Sequence, residues 1–176
     1  MTQIDTNKIA FLRGQRQHRS FAPGPADPAA LEQLLEVARW TGSASNRQPW
    51  RFLVVDDPAL LAQLAESKSG IGWVKDAGLA ILILTEGKTV NDWRFDVGRV
   101  AERLMLASGA VGLDAGVISW NADAGEPFVR KLLNVPDGTW IYAAVIFGHP
   151  AESKTASGAN AGRKAIEDLV IHNRFD

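Results

Sequence analysis

A helix that is apolar on two sides must be covered by other parts of its chain, and residues 92–111 predict such a helix. Val97, Val100, Ala101, Leu104, Met105 and Ser108 recur at helical spacing on one face, while Ala107 and Val111 mark another. Gly109 and Gly112 frame its end, as a glycine cap does. The rest of the sequence supplies the cover. Asp5 or Thr6 caps a first helix with Ile9, Phe11 and Leu12 as its apolar side. Asp27-Pro28 and Asp57-Pro58 each join a capping carboxylate to proline at the first helical position. The first opens a helix through Leu31, Leu34, Leu35 and Ala38 to Trp40, the second a helix through Leu60, Leu61 and Leu64. Residues 125–133 and 166–171 predict two short helices. Residues 52–55, 79–85, 115–120 and 142–147 read as strands, the first of them buried, and residues 67–78 as an irregular surface segment. Four strands among several helices indicate an α+β fold rather than regular strand–helix alternation.

Composition narrows the function classes. A length of 176 residues with 46% hydrophobic side chains predicts one domain, residues 1–176, whose last part from about 150 is a tail. A net charge of −1 lacks the basic excess that nucleic acid needs. The absence of cysteine excludes disulfides, thiolate catalysis and zinc–thiolate sites, and it fits the cytoplasm. The first residues show no basic-then-apolar leader pattern. The longest apolar run, residues 78–84, falls far short of the roughly 18–20 residues of a membrane span, so no membrane partner is expected. His18, His149 and His172 are scattered without metal-ligand spacing, so no metal is expected. Glu36, Glu102 and Glu126 show no pairing legible in sequence. Gly109-Ala-Val-Gly112 follows a helix instead of a strand, which defeats a dinucleotide fingerprint. A phosphate-binding loop and a Gly-x-Ser-x-Gly elbow are both missing. So little reactive side-chain chemistry points to a bound organic cofactor.

Two polar stretches stand out. Ser43-Ala-Ser-Asn46-Arg-Gln48-Pro49-Trp50 lies between a helical pattern and a strand. Its uncharged donors and acceptors suit the polar edge of a planar heterocycle, or an ordinary connecting loop. Pro49 is expected to push Gln48 into extended backbone, and Trp50 to anchor the strand in the core. The second stretch, residues 13–19, places Arg16 and Arg19 three apart, where they can grip one anion or form a solvated basic turn.

Taken in order, these pieces resemble the nitroreductase family of FMN-dependent oxidoreductases. They are the arginine-rich turn, Ser43-x-x-Asn46-x-Gln48-Pro49-Trp50, Asp96-x-Gly98 in a buried helix, Gly112-Leu113, Gly148-His149-Pro150, and Arg163-Lys164 before Glu167-x-Leu169-Val170. The match runs from about Arg13 to the C-terminus. The resemblance implies an intertwined homodimer with a mostly antiparallel or mixed central sheet flanked by helices. It also implies two FMN sites at the interface and a tail that wraps the partner. Members take hydride from NADH or NADPH and reduce nitroaromatics, quinones or similar acceptors by a ping-pong mechanism. The chemistry lies on flavin N5, so no catalytic side chain is expected.

By resemblance, the family's Arg-Arg-Ser-x-Arg falls on Gln15, Arg16, Gln17, His18 and Arg19. Arg16 would hold the phosphate or ribityl chain, with Gln17 and His18 in the same turn, and Arg19 would sit near the N1/O2 edge of the ring. Ser43 and Asn46, supported by Gln48, would reach the FMN of the other subunit, and Arg163 with Lys164 would close on the phosphate. Trp73 and Trp93 are candidates to stack on the acceptor, or to pack at an interface. Gln15 and Gln17 depart from the family pattern, as does Gly42 where many members have proline. A flavin sensor or carrier with little turnover is the alternative, or a specialised member that dehalogenates or consumes its flavin.

Overall fold

The computed structural model describes residues 4–86, 93–120, 125–152 and 162–174. Helix α1 spans Thr6–Gly14, strand β1 Phe21–Ala22, α2 Pro28–Arg39, β2 Trp50–Val55 and α3 Pro58–Ala65. Then come β3 (Leu79–Glu86), α4 (Arg94–Ala110), β4 (Asp114–Ser119), α5 (Gly125–Leu132) and β5 (Thr139–Pro150). Single 3₁₀ turns occupy Ala44–Asn46, Gly72–Asp76 and Ile166–Asp168.

The helix starts follow the capping chemistry read from sequence. Asp5 accepts from the Lys8 amide, Asp27 from Ala29, and Asp57 from Ala59 and Leu60. Helix α4 stops where Gly112 takes φ +75° and the Leu113 amide bonds back to the Ser108 carbonyl at 3.0 Å. Asp92, the expected start of this helix, lies outside the described residues.

The strands lie in the order β2–β3–β5–β4, with β1 paired to the end of β5 at His149 and Pro150, and every described pairing is antiparallel. One row runs Leu53, Leu82, Ala144, Ile118 across the four long strands. Because successive residues alternate between faces, β3 and β5 must be apolar throughout to serve a core on each side. Leu79, Ile81, Ile83, Val145 and Phe147 face α2 and α4. Ala80, Leu82, Ala144 and Ile146 face α3, α5 and the 72–76 turn. The result is a central sheet between two helical layers, an α+β fold. No helix of the described residues is long and apolar enough to cross a membrane.

Three elements differ from expectation. Strand β2 is an edge strand, half-buried at Phe52, Leu53 and Val54, because only β3 flanks it. Residues 67–78 are packed, with Ser67, Ile71, Val74 and Ala77 buried, since this segment closes the second core. The C-terminal helix reduces to the turn Ile166–Asp168, with Ile166, Leu169 and Ile171 all more than half exposed. No described residue covers a helical face there. Strand β1 is too short for any periodicity to reveal it.

Candidate active site

The arginine turn is fastened to the outer edge of β4. The His18 amide donates to the Ala115 carbonyl at 2.8 Å, and the Val117 amide donates to Gln17 Oε1 at 3.3 Å. An edge strand otherwise shows its polar backbone to solvent, so the turn also shields β4. Gly116 makes the approach possible: a Cβ there would stand 2.4 Å from the His18 carbonyl oxygen. On the helix side, the Gln15 side chain lies over Gly109, where a Cβ would come within 2.8 Å of Nε2. Of the two glutamines that depart from the family pattern, Gln17 thus bonds the turn to β4 and Gln15 packs against α4. Arg16 Nη1 donates to the Arg13 and Gln15 carbonyls, both at 2.7 Å, and so caps the end of α1.

Between this turn, α4 and β4 lies a cleft of about 330 Å³. Arg16, Gln17, Arg19 and Arg163 line it, with Glu102 and Met105 of α4 forming the floor. Arg163 is distant in sequence, so the fold itself joins the two ends of the chain. Three guanidiniums suit a dianion, since each can make paired N–H bonds to phosphate oxygens. The donor set fits an FMN phosphate.

The other expected residues lie apart from this cleft. His18 turns to Asp114, with Nδ1 at 3.6 Å from Oδ2 and both side chains 14% exposed. Lys164 is exposed beside Arg163 without lining the cleft. Ser43, Asn46 and Gln48 form their own corner after α2. The Gln48 amide donates to Ser43 Oγ at 2.8 Å, which folds the loop back on itself. Gln48 is therefore not extended: its φ is 48°, and Ser45 and Asn46 stand at 51° and 52°. The bond to Ser43 outweighs the steric bias of Pro49. Left-handed backbone costs side-chain-bearing residues about 1–2 kcal/mol each. The Asn46 side chain is exposed and makes no hydrogen bond among the described residues.

The tryptophans separate. Trp73 packs edge-on against Phe21 at 5.6 Å and donates to the Gly70 carbonyl, on the sheet face opposite α4. Trp93 lies at the start of α4, donates to the Glu86 carbonyl, and carries the Arg47 guanidinium 6.0 Å from its ring centroid. Sequence reasoning passed over Glu102, Met105 and Val117 as cleft residues. The available signal was a carboxylate one turn after Gly98 on a largely apolar helix.

Comparison with known proteins agrees with this architecture. The model of the nitroreductase family matches residues 12–95 and 72–149, together well over half the chain. The chain is 24% identical over 151 residues to an Archaeoglobus fulgidus protein provisionally named NADH dehydrogenase/NAD(P)H nitroreductase, covering 83% of this chain and 87% of that one. It is 25% identical over 190 residues to an NADPH-dependent oxidoreductase of Staphylococcus epidermidis, covering 92% of this chain and 72% of the relative. The fold superposes on an FMN-dependent nitroreductase from Clostridium difficile with a TM-score of 0.83 at 24% identity, over 95% of this chain and 99% of that structure. With its antiparallel sheet between helical layers and its arginine turn on β4, the chain belongs to the nitroreductase family of oxidoreductases.

Proposed function

We propose that the chain is an FMN-dependent oxidoreductase that uses NADH or NADPH to reduce nitroaromatic, quinone or similar acceptors. The observation that carries this reading is the convergence of Arg16, Arg19 and Arg163 on one cleft against α4 and β4. The chemistry FMN supplies there is hydride acceptance at N5 and delivery to the second substrate. The chain's own residues bind and orient. Arg163 and the free nitrogens of Arg16 hold the phosphate, while Arg19 brings positive charge to the ring edge and favours electron uptake. No side chain acts as nucleophile. Trp93, with Arg47 against it, stands nearer than Trp73 to the Ser43–Gln48 corner and is the better candidate to meet the acceptor.

The site needs a second copy. The Ser43–Gln48 corner does not line the cleft of its own chain, so its exposed Asn46 serves the partner's FMN. Helix α1 has no buried residue in the single chain, and a helix of 9 residues is marginal without packing. Phe11 and Val37, with Leu106 and Ala110 of α4, line an apolar groove of about 530 Å³. Trp40 is 66% exposed. A homodimer covers these surfaces, with the tail beyond residue 150 reaching onto the partner.

The visible spectrum of the purified protein, before and after anaerobic NADPH, tests the reading. Expected is a yellow protein that bleaches within the mixing time and is reoxidised by nitrofurazone or menadione. A flavin that stays oxidised assigns a sensor or carrier instead, and a colourless protein that cannot be reconstituted rejects FMN.

A further inference from the structure

Gly98, Glu102, Met105 and Gly109 of α4 are spaced four, three and four apart, and so share one face of the helix. Gly109 lies under Gln15, and Met105 and Glu102 line the arginine cleft. At Gly98 a Cβ would meet nothing within 4 Å, so the face is open beyond Glu102. Glu102 is the one carboxylate among the described cleft residues. It is exposed and makes no ion pair or hydrogen bond among the described residues.

A carboxylate beside a phosphate site opposes a bare anion, because like charges repel. Its presence becomes favourable when the ligand also carries hydroxyl groups. An ionised carboxylate only accepts hydrogen bonds, and neighbouring hydroxyls are the donors that satisfy it. We infer that Glu102 accepts hydrogen bonds from the polyol portion of a phosphorylated polyol. This assignment rests on the FMN reading, in which the polyol is the ribityl chain. The cleft then divides its labour: Arg16 and Arg163 take the phosphate, Arg19 meets the ring edge, Glu102 takes the hydroxyls, and the open face at Gly98 leaves room beside them. Glu102 is a specificity residue that favours a polyol phosphate over inorganic phosphate.

Three flavins separate the parts of the ligand. Riboflavin keeps the polyol without phosphate, lumiflavin has neither, and FMN has both. Equilibrium dialysis of the purified protein against an excess of each flavin, followed by displacement of the FMN it carries, gives their relative affinities for the wild type, Glu102→Ala and Glu102→Gln. The exposed helical position tolerates both changes. The riboflavin-to-lumiflavin affinity ratio is expected to fall about 10-fold in Glu102→Ala and less in Glu102→Gln, as for loss of a charge-assisted hydrogen bond. Inorganic phosphate should compete a few-fold better in both variants, since a like charge has gone. An unchanged riboflavin-to-lumiflavin ratio overturns the assignment and leaves the FMN reading intact. A wild-type protein that is purified colourless and takes up none of the three flavins overturns the FMN reading and this assignment together.

Discussion

Arg163 reaches the cleft from the far end of the chain and forms no ion pair among the described residues, so its charge is available to a ligand. Its loss removes one charge-assisted bond to phosphate, worth about 1.5–3 kcal/mol. Arg163→Ala is therefore expected to weaken FMN binding about 10- to 100-fold with little change in melting temperature. Arg16 does two jobs, because Nη1 also caps α1. Arg16→Ala should lose most bound flavin and lower the melting temperature as well, and comparing flavin content with thermal melts separates the two effects. Thr41 offers a contrasting case. It is 3% exposed and its hydroxyl has no hydrogen-bond partner among the described residues. An unsatisfied buried polar group costs about 1–3 kcal/mol, so Thr41→Val should stabilise the protein by about 1 kcal/mol in denaturant titrations.

At the scale of elements, the site depends on how closely the 15–19 turn lies on β4. A methyl at Gly116 would collide with the backbone oxygen of His18, which cannot swing aside as a flexible side chain does. Gly116→Ala should lift the turn, lower the melting temperature and reduce flavin content together; a variant with normal flavin content would show that the turn can shift without loss. Helix α2 carries a pH-dependent contact. Glu36 accepts from Arg39 and from the Trp40 indole, and the Arg39 bond first, then the Trp40 bond, lower its pKa below the usual carboxylate value. The folded state thus binds the Glu36 proton less readily than the unfolded chain. The stabilisation is present above the ordinary glutamate pKa of about 4.3 and is lost as pH falls through the lowered value. Glu36→Gln should slightly flatten the loss of stability as pH falls below the ordinary glutamate range, as this pair is exposed.

For the whole molecule, the exposed apolar residues of α1 and α2 and the Ser43–Gln48 corner that stands apart from the cleft are the surfaces the proposed homodimer would cover. Phe11→Asp, at a residue 42% exposed in the single chain, should shift the sedimenting species to monomer and strip flavin in proportion. Dissociation with full flavin retention would show that one chain completes the site.

The parts legible in sequence are those set by local chemistry. Aspartate caps with proline behind them mark helix starts, and apolar spacing marks the buried α4. These signals act within a few residues, so an ordered string carries them. Arg163 is expected beside Arg16 only through the family resemblance; tertiary structure alone decided that Glu102 sits among the cleft arginines, that Gln48 folds back on Ser43 against the bias of Pro49, and that residues 67–78 close a core. Each of these depends on which surfaces meet across the sheet. Strand register and long-range packing set those meetings, and neither has a local energetic signature.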